Sequence, residues 1–257
     1  MERRDFMRVL AGGLAPVWAG GWKERESVRT RRGMGTRWVM NYEEPEAHWR
    51  VEEALERGFT VWDMVSHCAG GEVERRLGKT LAGRWEQVCC ILKTFYRRER
   101  NAMPELESSL GRLRTGGVDV WMIHDLRNRY EWEELLRPGS TLEAMDQAKK
   151  AGKTRAVGLY AHGPAPLIQQ ALKDYPFDVL MAPVDTPRLA SSFLQDLSPL
   201  AALRGIKVMI HTRAASVEKE YDVSNAEFPA CGNMSTGRVD CIIHDFEDFP
   251  TTQRRLI

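Results

Sequence analysis

No C-x-x-C pair occurs among the five cysteines of this 257-residue chain, and an odd count leaves one thiol over whatever bonds form. A disulfide framework is therefore not expected, and Cys89 and Cys90, inside the run VCCIL, read as small buried hydrophobes. No apolar run approaches the ~20 residues that cross a bilayer, so no stable membrane span is expected. The net charge is only +1, with Lys and Arg scattered, which removes the field that would draw in nucleic acid. No G-x-G-x-x-G follows an early strand, so the Rossmann phosphate fingerprint is missing. The histidines and cysteines show no zinc-ligand spacing, and no metal is expected.

What is present begins with a segment unlike the rest. MERRDFMR precedes the Gly-rich, moderately apolar VLAGGLAPVWAGG, with small residues around Ala19 and Gly20. The adjacent Arg3 and Arg4, the acid-poor run and the small-residue end make residues 1–22 resemble a twin-arginine signal. That reading implies the twin-arginine export machinery as a partner and a periplasmic or other extracytoplasmic location; without it the protein is cytoplasmic. Residues 28–257 then form one domain, a length that single α/β barrels reach.

Short apolar runs alternate with amphipathic stretches through this domain. GFTVWDMV (58–65), QVCCILK (87–93), VDVWMIH (118–124), TRAVGLY (154–160), FDVLMAP (177–183) and GIKVMIHT (205–212) read as strands buried on both faces. RRGMGTRWVM adds a first strand and RVDCIIHDF (238–246) a last. Between them, STLEAMDQAKKAGK predicts a helix with a Ser140–Glu143 capping box, an apolar stripe of Leu142, Met145 and Ala148, and a stop at Gly152. Met103, Leu106, Leu110 and Leu113 predict another over 102–115. Eight strands with intervening helices predict a (β/α)8 TIM barrel, incomplete around its seventh helix because 213–237 is polar and aperiodic. A doubly wound open sheet is the competing fold.

In such a barrel the reactive groups stand at the C-terminal strand ends. Asp63, Lys93 and His124 close three successive strand candidates, so an acid, a cation and an imidazole converge on one side of the mouth. DMVSHCAGGEVERRLG lies without gaps on the pattern D-T-A-x-x-Y-G-G-G-x-S-E-x-x-L-G, and ESSLGRLRTGGVDVWMIH and AKKAGKTRAVGLYAHG resemble the signatures that follow it. The chain from about Gly33 onward thus resembles the aldo/keto reductase family.

The resemblance implies NADPH-dependent reduction of a small aldehyde or ketone by a tetrad of Asp63, Lys93, His124 and a tyrosine that protonates the carbonyl oxygen. Cys68 stands at the tyrosine's position. A thiol's ordinary pKa of ~8.5 suits a proton donor, but its reach falls several ångströms short of a phenol's. Loss of a general acid costs at least ~100-fold, so weakened activity is expected, with Tyr96 or water as substitute donors. The His67–Cys68 dipeptide also admits a thiolate nucleophile, although neighbours in an extended segment point apart. For NADP(H), the resemblance implies Gly35, Thr36, Tyr160, His162, Met181 and Arg254 as cofactor-facing. Tyr160, Ala161 and His162 stand where the family carries Ser-Asn or Ser-x-His, Met181 replaces its Gln, and Val184 its stacking tyrosine. The alternative is a catalytically silent barrel kept as a binding or scaffold module.

Overall fold

Each of the eight apolar runs becomes a strand in a computed structural model that describes residues 31–184, 195–212 and 241–244. The strands are β1 (Arg31–Gly35), β2 (Phe59–Val65), β3 (Cys89–Thr94), β4 (Val118–Leu126), β5 (Thr154–Ala161), β6 (Val179–Pro183), β7 (Lys207–Thr212) and β8 (Cys241–His244). All neighbours pair in parallel, and β8 closes on β1, so the sheet is a closed barrel. The open sheet is thereby excluded.

The described α-helices are α1 (Glu44–Glu56), α2 (Glu72–Thr80), α3 (Glu99–Leu113), α4 (Arg129–Leu135), α5 (Thr141–Lys150), α6 (Ala165–Asp174) and α7 (Ser198–Arg204). Their apolar stripes pack on the outward faces of the strands: Leu106, Leu110 and Leu113 of α3 and Met145 and Ala148 of α5 join Trp62, Leu92 and Trp121 in one outer apolar layer. Residues 213–237, where a further helix was in doubt, lie outside the described residues, as does most of the 238–246 segment beyond β8.

Local chemistry trims the sequence reading in three places. The first strand ends at Gly35, because the N–H and hydroxyl of Thr36 both donate to the Asp63 carbonyl (3.2 and 3.1 Å) and Trp38 and Val39 enter a 3₁₀ turn. The capping box of α5 is not formed: Ser140 makes no capping side-chain bond, and Glu143 accepts from the Gly139 N–H instead (3.0 Å). Strand β4 runs past His124 to Leu126, with a register shift against β5 between Ile123 and Leu126. Gly152, by contrast, stops α5 as expected, at φ 71°.

Strand alternation sorts the side chains into two cores. Inside the barrel, Val61, Ile91, Val120, Met122, Val179, Met181 and Met209 fill the lumen. Two residues further along the same strands lie Asp63, Lys93, His124 and His211, so the period that builds the inner core also stacks a polar layer on top of it.

Candidate active site

Lys93 Nζ sits 2.5 Å from Asp63 Oδ2, and both side chains are almost fully buried. Burial pushes the Asp63 carboxyl above its ordinary range, opposed by the ammonium of Lys93 through charge and hydrogen bond. His211 Nε2 approaches the same carboxylate oxygen at 3.7 Å. Asp63 Oδ1 is buried with no hydrogen-bond partner, as is Nδ1 of His124. Unsatisfied buried polar atoms at a barrel mouth are costly unless a ligand meets them.

The His124 ring stacks on Phe95 at 4.1 Å and meets Tyr160 edge-on at 5.2 Å. Burial, and after it the Lys93 ammonium, holds its pKa down to about 3, so the imidazole is neutral in the physiological range. It can orient an oxygen without carrying charge. A measurable consequence is pH dependence of stability. Between pH 6.5 and about 3 the unfolded chain binds a proton at this site that the folded chain refuses, so stability is lost as pH falls through that window. The stability difference between wild type and H124N, from urea titrations, should move in favour of the variant by up to about 1.4 kcal/mol per pH unit on acidification. A constant difference would contradict a neutral, desolvated His124.

Tyr160 occupies the centre of this layer. Its side chain points into the lumen and is 5% exposed; Lys93 Nζ lies over its ring, 4.4 Å from the centroid, and the His211 ring is 5.7 Å away. Its hydroxyl is 3.4 Å from Nε2 of His162, whose Nδ1 lies 2.6 Å from Asp125 Oδ1. Asp125 has a left-handed backbone, φ 68°, at the register shift in β4. A bulge of this kind redirects a side chain that strict alternation would have sent elsewhere, and left-handed non-glycine residues collect at functional sites. Burial tends to raise the Asp125 carboxyl, but the hydrogen bond from Arg127 Nε (2.7 Å) and the neighbouring His162 outweigh it and hold it low. Burial also lowers His162, with Asp125 opposing.

The structure therefore brings Asp63, Lys93, His124, Tyr160 and His162 together and treats the other candidates differently. Cys68 is half-buried on a 3₁₀ turn (Cys68–Gly71) and packs against the outer apolar layer. The dipeptide is not extended, since His67 is left-handed at φ 58°. Tyr96 is 43% exposed on the loop after β3. Gly35 pairs with Asp63 across the β1–β2 ladder, and Thr36 spends its hydroxyl on the Asp63 carbonyl, so these two position the acid. Met181 is fully buried in the lumen and Val184 is fully buried in the outer layer. Arg254 lies outside the described residues. Two members escaped the sequence reading. His211 was signalled by its place two residues after the inward Met209; Asp125 had no such signal, because its orientation comes from a bulge. Among the described residues no group of three or more His, Cys, Asp and Glu side chains could hold a metal ion.

The model of the aldo/keto reductase family matches residues 32–217. The aldo-keto reductase YhdN of Bacillus subtilis is 30% identical over 122 residues, 42% of this chain and 35% of that protein, so the match spans about a third of that relative. Among solved structures, the holo form of the aldo-keto reductase AKR11C1 from Bacillus halodurans superposes with a TM-score of 0.65 at 17% identity, covering 86% of this chain and 83% of that one. An aldo-keto reductase from Klebsiella pneumoniae in complex with NADPH gives 0.59 at 20% identity, covering 76% and 70%. At these identities the structural likeness speaks for the fold.

Proposed function

Since the chain belongs to the aldo/keto reductase family, we propose that it is an NADP(H)-dependent oxidoreductase that reduces a small aldehyde or ketone without a tetrad tyrosine at position 68. The observation that carries this reading is the buried Lys93–Asp63 pair set beneath a phenol and a neutral imidazole at the mouth of the barrel. An ion pair so deep stabilises little by itself, because desolvation offsets the attraction. Its value lies in placing a fixed cation where negative charge develops.

The donor set fits a nicotinamide. Tyr160 Oη and His162 Nε2, each able to donate or accept, are the polar groups available to its amide, and the flat Tyr160 ring gives the nicotinamide an aromatic neighbour. When bound, NADPH supplies the hydride for the carbonyl carbon. The chain's own part is to orient the carbonyl oxygen with the neutral His124 and to place the Lys93 charge close by. The Met181 thioether has no donor and is only a weak acceptor, which supports weaker cofactor affinity than a Gln at that position would give. Residues 1–22, with Arg3 and Arg4, support export of the folded barrel through the twin-arginine machinery.

The test is a titration of the protein lacking residues 1–22 with NADPH, followed by quenching of tryptophan fluorescence, with NADH as control and a panel of aldehydes and ketones as substrates. Micromolar binding with preference for the phosphorylated cofactor, and turnover of at least one carbonyl, is the expected result. No binding at millimolar NADPH would leave the silent barrel as the better reading.

A further inference from the structure

We propose that Tyr160 is the proton donor of this barrel and that His162, backed by Asp125, resupplies its proton. The proposal rests on the reductase reading above and names the group which that reading leaves open. Cys68, at the place where the family carries its phenol, packs into the outer layer. The phenol whose ring Lys93 does meet comes from β5, two strands round from β3.

The surroundings of Tyr160 match the task. An ammonium over the ring face favours the phenolate that forms when the proton leaves. The titratable groups that meet it come from several strands: Lys93 from β3, His124 from β4, His162 just after β5 and His211 from β7, with Asp63 of β2 paired to Lys93 and close to His211. Asp125 and Arg127 stand one layer behind His162. Asp125 Oδ1, His162 Nδ1, His162 Nε2 and Tyr160 Oη form a continuous line, with separations of 2.6 Å and 3.4 Å across its two contacts. The first is an ion-pair distance without hydrogen-bond alignment and the second is long for a hydrogen bond, as unliganded catalytic contacts often are before they tighten. The left-handed backbone of Asp125 sits at the register shift of β4, and its carboxylate lies beside His162.

The step balances as follows. The Tyr160 O–H bond breaks and its proton bonds to the carbonyl oxygen, while the carbonyl carbon gains a hydride from the reduced nicotinamide; the carbonyl becomes an alcohol. Nε2 of His162 then takes a proton from solvent at its part-exposed edge and passes it to the phenolate, which restores the phenol and the neutral imidazole. Asp125 balances the charge of the imidazolium that exists between those two transfers.

The experiment compares wild type, Y160F, Y96F and H162Q, each for NADPH binding, for reduction of 4-nitrobenzaldehyde, and, without cofactor, for the pH titration of phenolate absorbance. Y160F keeps the ring and loses one of two partners for the amide, so it should bind NADPH within about tenfold of wild type, fall at least ~100-fold in turnover at saturating cofactor, and remove one phenol from the titration. H162Q should move the midpoint of that phenol and shift the pH profile of turnover, which a merely structural role would leave in place. Turnover in Y160F within threefold of wild type, or a loss in Y96F instead, overturns the proposal. A wild type that binds no NADPH marks failure of the reductase reading. In that case a phenol midpoint indifferent to H162Q overturns the relay, and one that moves with H162Q upholds it.

Discussion

K93M should lose about 3–5 kcal/mol of folding stability at neutral pH, the usual cost of leaving a buried charge without its partner. Methionine fills much of the lysine's volume, so the loss reports charge rather than a cavity. Asp63, already raised by burial, would lose the ammonium that opposes the rise. Its protonated form then becomes the favoured one in the folded state, so the K93M deficit should shrink as the pH falls below neutrality. The double variant D63N/K93M removes both charges and should recover most of the stability, while carbonyl reduction stays lost because no cation remains beside Tyr160. Urea titrations of the three proteins at two pH values decide it. A K93M protein as stable as wild type would mean that the pair is not desolvated as the 2.5 Å contact and near-complete burial indicate.

This pair was legible because it rests on composition alone: a charged residue closing an apolar strand can only be tolerated at a strand end, and two of opposite sign on adjacent strands attract. The eight strands were legible for the same reason, since fully buried strands read as unbroken apolar runs. Tyr160 was visible as a site residue, but its role was not. Reading a motif position by position assigns it to the cofactor amide, and the lumen geometry also places its ring against Lys93, on a strand two places round the barrel. Asp125 was invisible, because a bulge is a property of the ladder between β4 and β5 and leaves no mark in side-chain periodicity. The Ser140–Glu143 pattern misled for a local reason: the N–H of Gly139 lay within reach of Glu143 and took the bond.

The motif AGGEVERRLG reads as the rim of an active site, yet its Gly71, Glu74 and Gly78 all meet Arg112 of the neighbouring helix, and R112M should show this by a loss of about 3–5 kcal/mol. Arg112, on α3, donates from Nε to Glu74 of α2 at 2.5 Å and reaches Ser108 and Ser109 with its other nitrogens. Glu74 has no solvent contact at all, so removing the guanidinium strands its carboxylate. The glycines of the motif make room for this contact. A Cβ on Gly71, which is left-handed at φ 83°, would fall 2.5 Å from Arg112 Nε, and one on Gly78 would fall 2.3 Å from the Arg112 carbonyl oxygen. Methionine keeps the arginine's apolar stem, so packing over Gly71 is largely preserved and the charge is what changes. R112M/E74Q, which removes both charges, should recover most of that loss, and urea titrations of the two variants check it. NADPH binding should survive in R112M at temperatures where it remains folded, because Arg112 sits between α2 and α3 while the proposed binding groups sit on the barrel mouth. A variant that folds fully and yet loses cofactor binding would place this motif back in the site.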